Sequence, residues 1–338
     1  MQVRSTAPVR ICDIGGWTDT HFSSTGAVVN FAVDLPVHVR VQERPSEPGA
    51  PPSVEIHALD AGYRVEIDDV RSVEYNGALD LLKAAVVRMG VRRSLRVEVW
   101  ADAPGGSGMG TSSSVAVALL AALGRIEGLE LPRHRLAELA HSLEVEELRI
   151  ECGVQDQYAA AFGGVQFMEV DYPSVRQYAL TLSRGFVAEL DQRFLVVHSG
   201  ESRLSHDIHT KVLGALSEAD ASAHAALDRL RECAYGMRDA LLSEDFDQMA
   251  EIMNANWEAQ KALCGAITTL RIERIIEIAR AAGAAGAKVN GAGGGGTVTI
   301  LCAPEAKPRV RQALYQVDEV EILPCPLTFA GVRTWTTR

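Results

Sequence analysis

Residues 104–114 read PGGSGMGTSSS and stand between a strand-like run, 95–101 (LRVEVWA), and an Ala/Leu-rich helical run at about 112–126. Glycines let the backbone adopt positive φ and come close to a ligand. Their amides, with the N-terminus of the following helix, form a site for phosphate oxygens. The hydroxyls of Thr111, Ser112, Ser113 and Ser114 fall where a first helical turn would offer them to phosphate or a metal ion. A flexible surface loop ending in a serine cap reads the same residues more blandly. The loop lacks the G-x-x-x-x-G-K-[ST] of a P-loop and the G-x-G-x-x-G of a dinucleotide fold.

Two further glycine-rich places lie on either side. Lys288 to Gly296 reads KVNGAGGGG and leads into an apolar strand, 297–302; so many glycines before a buried strand point to close backbone approach, with a hinge as the plain alternative. Arg10 to Asp19 reads RICDIGGWTD after the first strand and offers an Arg and an Asp near two glycines, as an ordinary turn also would.

Outward from these, residues 8–14, 28–43, 53–58 and 63–68 have strand character, with a Pro-rich break at 45–52. Helical spacing marks 77–89, 132–150 and a short stretch at 154–162. Strands follow at 164–170, 175–182 and 193–198. A long helical region at about 206–283 has Asp245 and Thr268 or Thr269 as caps, and helix 305–316 and strands near 318–323 and 327–335 close the chain. Strands cluster early and helices late. The fold class expected is α+β in two domains, 1–188 and 189–338.

The chain has 338 residues and a formal net charge of -11. An acidic chain whose densest basic stretch is four arginines between Arg88 and Arg96 is a poor partner for nucleic acid. It must create positive potential locally to hold an anionic substrate. Its six cysteines include no C-x-x-C pair and suggest reduced thiols in a cytoplasmic protein. No run of 18 apolar residues suggests a membrane span.

The three glycine-rich segments, in this order, resemble the motifs of the GHMP kinase superfamily, the group of galactokinase, homoserine kinase and mevalonate kinase. The GGWTD form of the first motif, GVQDQYAAAFGG at 153–164 and HSGESRLS at 198–205 are most similar to bacterial sugar kinases of the heptose-7-phosphate 1-kinase and L-fucokinase kind. Galactokinase carries a Glu-His pair where this chain has Gly16 and Trp17, which speaks against galactose.

The resemblance implies a ribosomal-protein-S5-like N-terminal domain, a ferredoxin-like C-terminal domain and an active site between them. It implies ATP and Mg²⁺ as cofactors and a small-molecule sugar or sugar phosphate as partner, with no nucleic acid and no membrane; a homodimer is allowed. Pro104, Gly105, Gly106, Ser107, Gly108, Met109, Gly110, Thr111, Ser112 and Ser113 would hold the nucleotide. Ser112 and Glu144 would hold the metal, Glu146 and Glu147 being competitors or parts of a solvated helix face. Asp156 would be the base and Arg10 its cationic neighbour. Asp19, Thr18, Trp17, Tyr158, Arg203 and Gly293, Gly294 and Gly295 would bind the substrate, with His198 an alternative to Arg203 and Lys288 equally a surface residue.

Overall fold

The computed structural model describes residues 1–201, 205–217 and 221–337. In chain order its strands and helices are β1 (Gln2–Ile14), β2 (Thr25–Glu43), β3 (Val54–Ala58), β4 (Tyr63–Ile67), α1 (Asp80–Arg88), β5 (Leu95–Ala101), α2 (Thr111–Ile126) and α3 (Arg133–Ser142). A π-helical segment, Leu143–Glu147, continues α3 and is followed by α4 (Gln155–Phe162), β6 (Val165–Asp171), β7 (Ser174–Ala179), α5 (Arg184–Arg193) and β8 (Phe194–His198). Then come α6 (Ser205–Ser217), α7 (Ala221–Leu242), α8 (Phe246–Leu263), α9 (Leu270–Ala281), β9 (Ala284–Val289), β10 (Thr297–Cys302), α10 (Lys307–Leu314), β11 (Glu321–Leu323) and β12 (Arg333–Thr337).

The long β2 organises the first sheet. It pairs with β1 along one edge; along the other, Thr25–Phe31 pairs with β6 and Val37–Glu43 with β5. The strand order is β12-β1-β2-β5-β3-β4, with β6 beside β2 and β7 beside β6. Residues 26–33 are buried without alternation, as expected of a strand covered on both faces, and α2 and α7 both pack on β2. The second half of β2 alternates and leaves one face toward solvent.

The second sheet has the antiparallel order β11-β8-β10-β9. A strand, helices, a hairpin, a helix and a last strand in this order form the expected ferredoxin-like arrangement. Its core centres on Trp257, Ile272, Ile275, Val298 and Ile300. The last strand of the chain, β12, returns to the first sheet and pairs with β1 from Gln2↔Thr337 to Thr6↔Arg333.

The expected caps form: Asp245 accepts from Gln248 N at 2.9 Å, and Thr269, rather than Thr268, accepts from Ile272 N at 3.2 Å. Two elements go beyond the sequence reading. Helix α5 is capped by Ser183, whose Oγ accepts from Phe186 N. Strand β9 (AAGAKV) is Ala/Gly-rich and carries a single β-branched residue, so propensity does not reveal it. Its small residues admit α8: a Cβ on Gly286 would lie 2.9 Å from Ala250 Cα.

Candidate active site

The glycine loop leaves β5 and delivers the chain into α2. Gly106, Gly108 and Gly110 have φ of 68°, 71° and 76°. A Cβ on Gly108 would lie 2.6 Å from Asn290 O, and one on Gly110 2.9 Å from Asp156 Cγ. Helix α2 starts without a side-chain cap and without an acidic residue in its first turn. Its first amides therefore lack intrahelical acceptors and present a partial positive charge. The loop is pinned from three sides: Ser107 O accepts from Thr297 N and Oγ1, Met109 O accepts from Arg10 N, and Ser114 Oγ donates to Pro8 O.

Arg10, buried in the second half of β1, grips Asp156 in the first turn of α4. Its Nε donates to Asp156 Oδ1 at 2.8 Å and its Nη2 to Oδ2 at 3.3 Å, while Nη1 donates to Gly108 O. Burial opposes the guanidinium charge, but Asp156, then Asp13 and Asp19, more than offset this and hold its pKa above the usual value. Asp13, three residues further along β1, accepts from buried Lys288 Nζ at 2.8 Å and from Gly291 N.

Two more carboxylates complete the arrangement. Glu144 sits in the π-helical segment, a form of helix often found at functional sites. It accepts from Gln157 Nε2 at 2.6 Å and from Ser113 Oγ at 3.2 Å, and has no ion-pair partner among the described residues. Burial, aided by Asp156, pushes it up to about 7, against hydrogen bonds from Gln157, Ser113 and Ser112. Asp19 accepts from Gln155 N at 3.1 Å; burial pushes it up to about 6, aided by Asp156 and Asp13. Gly153 packs directly on its carboxylate, leaving no space for a Cβ.

These groups enclose a cleft of about 350 Å³. Arg10, Trp17, Asp19, Asp156, Glu144 and the stretch from Gly106 to Ser113 all border it. A loop rich in amides, a helix N-terminus and one buried guanidinium share its lining with five carboxylates, Asp13, Asp19, Glu144, Glu151 and Asp156. Such a site can hold a polyphosphate on one side and accept a proton from an alcohol on the other.

Several expected residues lie elsewhere. Pro104 and Gly105 precede the part of the loop that borders the cleft. Thr18 is fully buried, its hydroxyl donating to Gly15 O and Ala27 O, so it shapes the turn from inside. Tyr158 points to the other side of α4, against Phe162 and His134. Gly293, Gly294 and Gly295 do not border the cleft: they pack on Ile267, Ile208 and Glu201, and Gly291 and Ala292 border it instead. Lys288 is fully buried rather than at the surface. His198 lies outside the cleft on β8, with burial holding its imidazole below the usual range. Glu146 and Glu147 turn outward to Arg88. Arg203 lies outside the described residues.

Asp13, Gln157 and His209 were not singled out from sequence. A signal for Asp13 existed: an acid inside the apolar run Ile11 to Ile14 needs a buried partner. Nothing local marks His209, which reaches the cleft from α6 and packs on Trp17 at 4.7 Å between ring centres.

The family model described as GHMP kinases N terminal domain matches residues 75–164, and the one described as GHMP kinases C terminal matches 237–319. The chain is 29% identical to a D-glycero-alpha-D-manno-heptose 7-phosphate kinase of Campylobacter jejuni, over 98% of both chains. It is also 29% identical to a bifunctional fucokinase/GDP-fucose pyrophosphorylase of Arabidopsis thaliana, over 93% of this chain and 31% of that protein. Among solved structures, that of a D-glycero-D-manno-heptose 1-phosphate kinase from Bacteroides thetaiotaomicron superposes with a TM-score of 0.80 at 27% identity, covering 99% of each chain.

Proposed function

The chain belongs to the GHMP kinases, phosphotransferases that use ATP and an alcohol acceptor, and from that premise we propose that it phosphorylates a sugar, at the anomeric O1 of heptose 7-phosphate. The observation that carries the reading is the seat of Asp156. Its carboxylate rests against Gly110, the residue that opens α2, and is held there by Arg10. A base is thereby fixed beside the amides suited to the phosphates.

In this reading Gly106 to Ser113 hold the ATP phosphates through main-chain amides. Asp156 takes the proton from the acceptor hydroxyl as its oxygen bonds to the γ-phosphorus and ADP leaves. Arg10 orients the Asp156 carboxylate through two hydrogen bonds and offsets charge on the transferred group. Asp19 accepts hydrogen bonds from sugar hydroxyls, and Trp17 walls the sugar end of the cleft.

The donor set fits Mg²⁺. Glu144 is a buried carboxylate without a cation partner among the described residues, and the exposed Ser112 lies in the first turn of α2. These two would hold the ion, with phosphate oxygens completing an all-oxygen shell. When bound, Mg²⁺ neutralises charge on the β- and γ-phosphates.

The C. jejuni heptose 7-phosphate kinase matches end to end, which favours that acceptor; equal identity to the plant fucokinase keeps L-fucose as the second reading. The proposal includes a division near residue 188, which falls within α5 (Arg184–Arg193), the helix that leads into the second sheet, with β12 lent back to the first half, and a cytoplasmic setting. No helix among the described residues is long and apolar enough to cross a membrane. A coupled ADP-release assay over heptose 7-phosphate, L-fucose, galactose, mannose and mevalonate tests it. Turnover with heptose 7-phosphate at least tenfold above the others is expected; mevalonate as the sole good acceptor, or no ADP release with any, overturns it.

A further inference from the structure

Lys288 and Asp13 form an ion pair with almost no solvent contact: the lysine side chain is 0% exposed and the aspartate side chain 3%. Lys288 Nζ donates to Asp13 Oδ1 at 2.8 Å and to Asp13 O at 2.7 Å. The pair joins β9 of the second sheet to β1 of the first, and the single N–H of Gly291 is shared between both carboxylate oxygens. A Cβ on Gly16 would lie 2.7 Å from Asp13 Oδ2, so the carboxylate is also fixed from the side of the GGWTD turn.

Arg10 lies between two carboxylates. Asp156 holds it with two hydrogen bonds, and Asp13 Oδ1 stands 3.9 Å from its Nη1. That separation is too long for a hydrogen bond but short enough for a strong attraction in a buried setting. Asp13 is therefore a competitor for the guanidinium, three residues away on the same strand. The other charged group acting on Arg10 is Asp19, from the following turn.

We infer that Lys288 is a positioning residue for phosphoryl transfer: by saturating Asp13 it leaves Arg10 to Asp156. This rests on the reading of Arg10 and Asp156 as the transfer machinery. Without the ammonium, Asp13 is a buried carboxylate that has lost its counter-ion, and the nearest cation is Arg10. A shift of about 1 Å turns this 3.9 Å ion pair into a hydrogen-bonded one and takes Nη1 and Nη2 away from Gly108 and Asp156.

The test is a double-mutant cycle in the full chain, with ATP and the best acceptor from the sugar panel. Lys288→Met is expected to lower kcat more than tenfold with KM for ATP changed less than threefold. Adding Asp13→Asn removes the competitor and is expected to recover at least tenfold of that loss. A merely structural pair gives a double variant no faster than Lys288→Met, and that result overturns the inference. So does an unchanged kcat in Lys288→Met. Should Lys288→Met not fold, Lys288→Gln, which keeps a donor for Asp13 O, is read in the same way. Should neither single variant fold, the double variant decides: kcat within tenfold of wild type supports the inference, and a greater loss overturns it. Wild-type turnover together with a slow Asp156→Asn variant shows that the underlying kinase reading stands if this cycle fails.

Discussion

Arg10 and Asp156 are 146 positions apart in the chain and meet as a two-pronged ion pair, at 2.8 Å and 3.3 Å. The first strand and the first turn of α4 thus supply the two halves of one charge arrangement beside the glycine loop. Asp156→Asn keeps the size of the side chain and removes its capacity as base. It is expected to lower kcat by about 10²–10⁴-fold, with ATP affinity changed little, as read by steady-state kinetics and nucleotide binding. Turnover close to wild type would remove Asp156 from the chemistry.

Gly110 carries both a backbone and a space requirement. Its φ is 76°, and a Cβ would lie 2.9 Å from Asp156 Cγ. Gly110→Ala is expected to destabilise the fold by about 1–3 kcal/mol. It should also displace the Asp156 carboxylate and cost roughly 10²-fold in kcat. Thermal denaturation and kinetics on the same preparation check this; an active, equally stable alanine variant would contradict it.

Asp19 links the site to pH. Its carboxyl is pushed up to about 6 from 3.8, first by burial. A group whose folded pKa is raised binds more protons folded than unfolded, so its stabilising contribution is complete below about 4 and lost as pH rises through about 6. Ligand-free wild type is therefore expected to lose more melting temperature between pH 4.5 and 7 than Asp19→Asn does. An equal or steeper decline in the variant would contradict the assignment.

The serines of α2 separate by role. Ser112→Ala and Glu144→Gln are each expected to raise the Mg²⁺ concentration for half-maximal activity by about 10–100-fold. Ser114 donates to Pro8 O inside the core. Ser114→Ala is expected to cost about 1 kcal/mol of stability and leave the Mg²⁺ requirement alone. A Mg²⁺ titration of all three distinguishes the roles; a shift in Ser114→Ala alone would reverse them.

Much of this was legible in the sequence because it depends on local signals. Periodicity marks β5 and α2, and the glycines between them mark a loop that must bend and approach closely. Asp156 and Glu144 came through resemblance, and both border the cleft. What stayed hidden depends on distant packing. Strand β9 is made of small residues because α8 lies on it, and nothing in AAGAKV itself reveals that neighbour. The run from Gly293 to Gly296 suggested ligand contact, but its close approach is to the chain itself, with Ser107 O 2.7 Å from a Cβ on Gly296. Lys288 is the clearest case. Its burial follows from the meeting of β9 with β1, 275 positions apart, and a lone lysine before a glycine run gives no hint of it.

The most direct test is a crystal structure with a non-hydrolysable ATP analogue and heptose 7-phosphate bound together. The analogue's phosphates are expected on the amides between Gly106 and Ser113, with O1 of the sugar within about 3.2 Å of the Asp156 carboxylate. A nucleotide bound away from that loop, or an acceptor hydroxyl turned away from Asp156, would contradict the account.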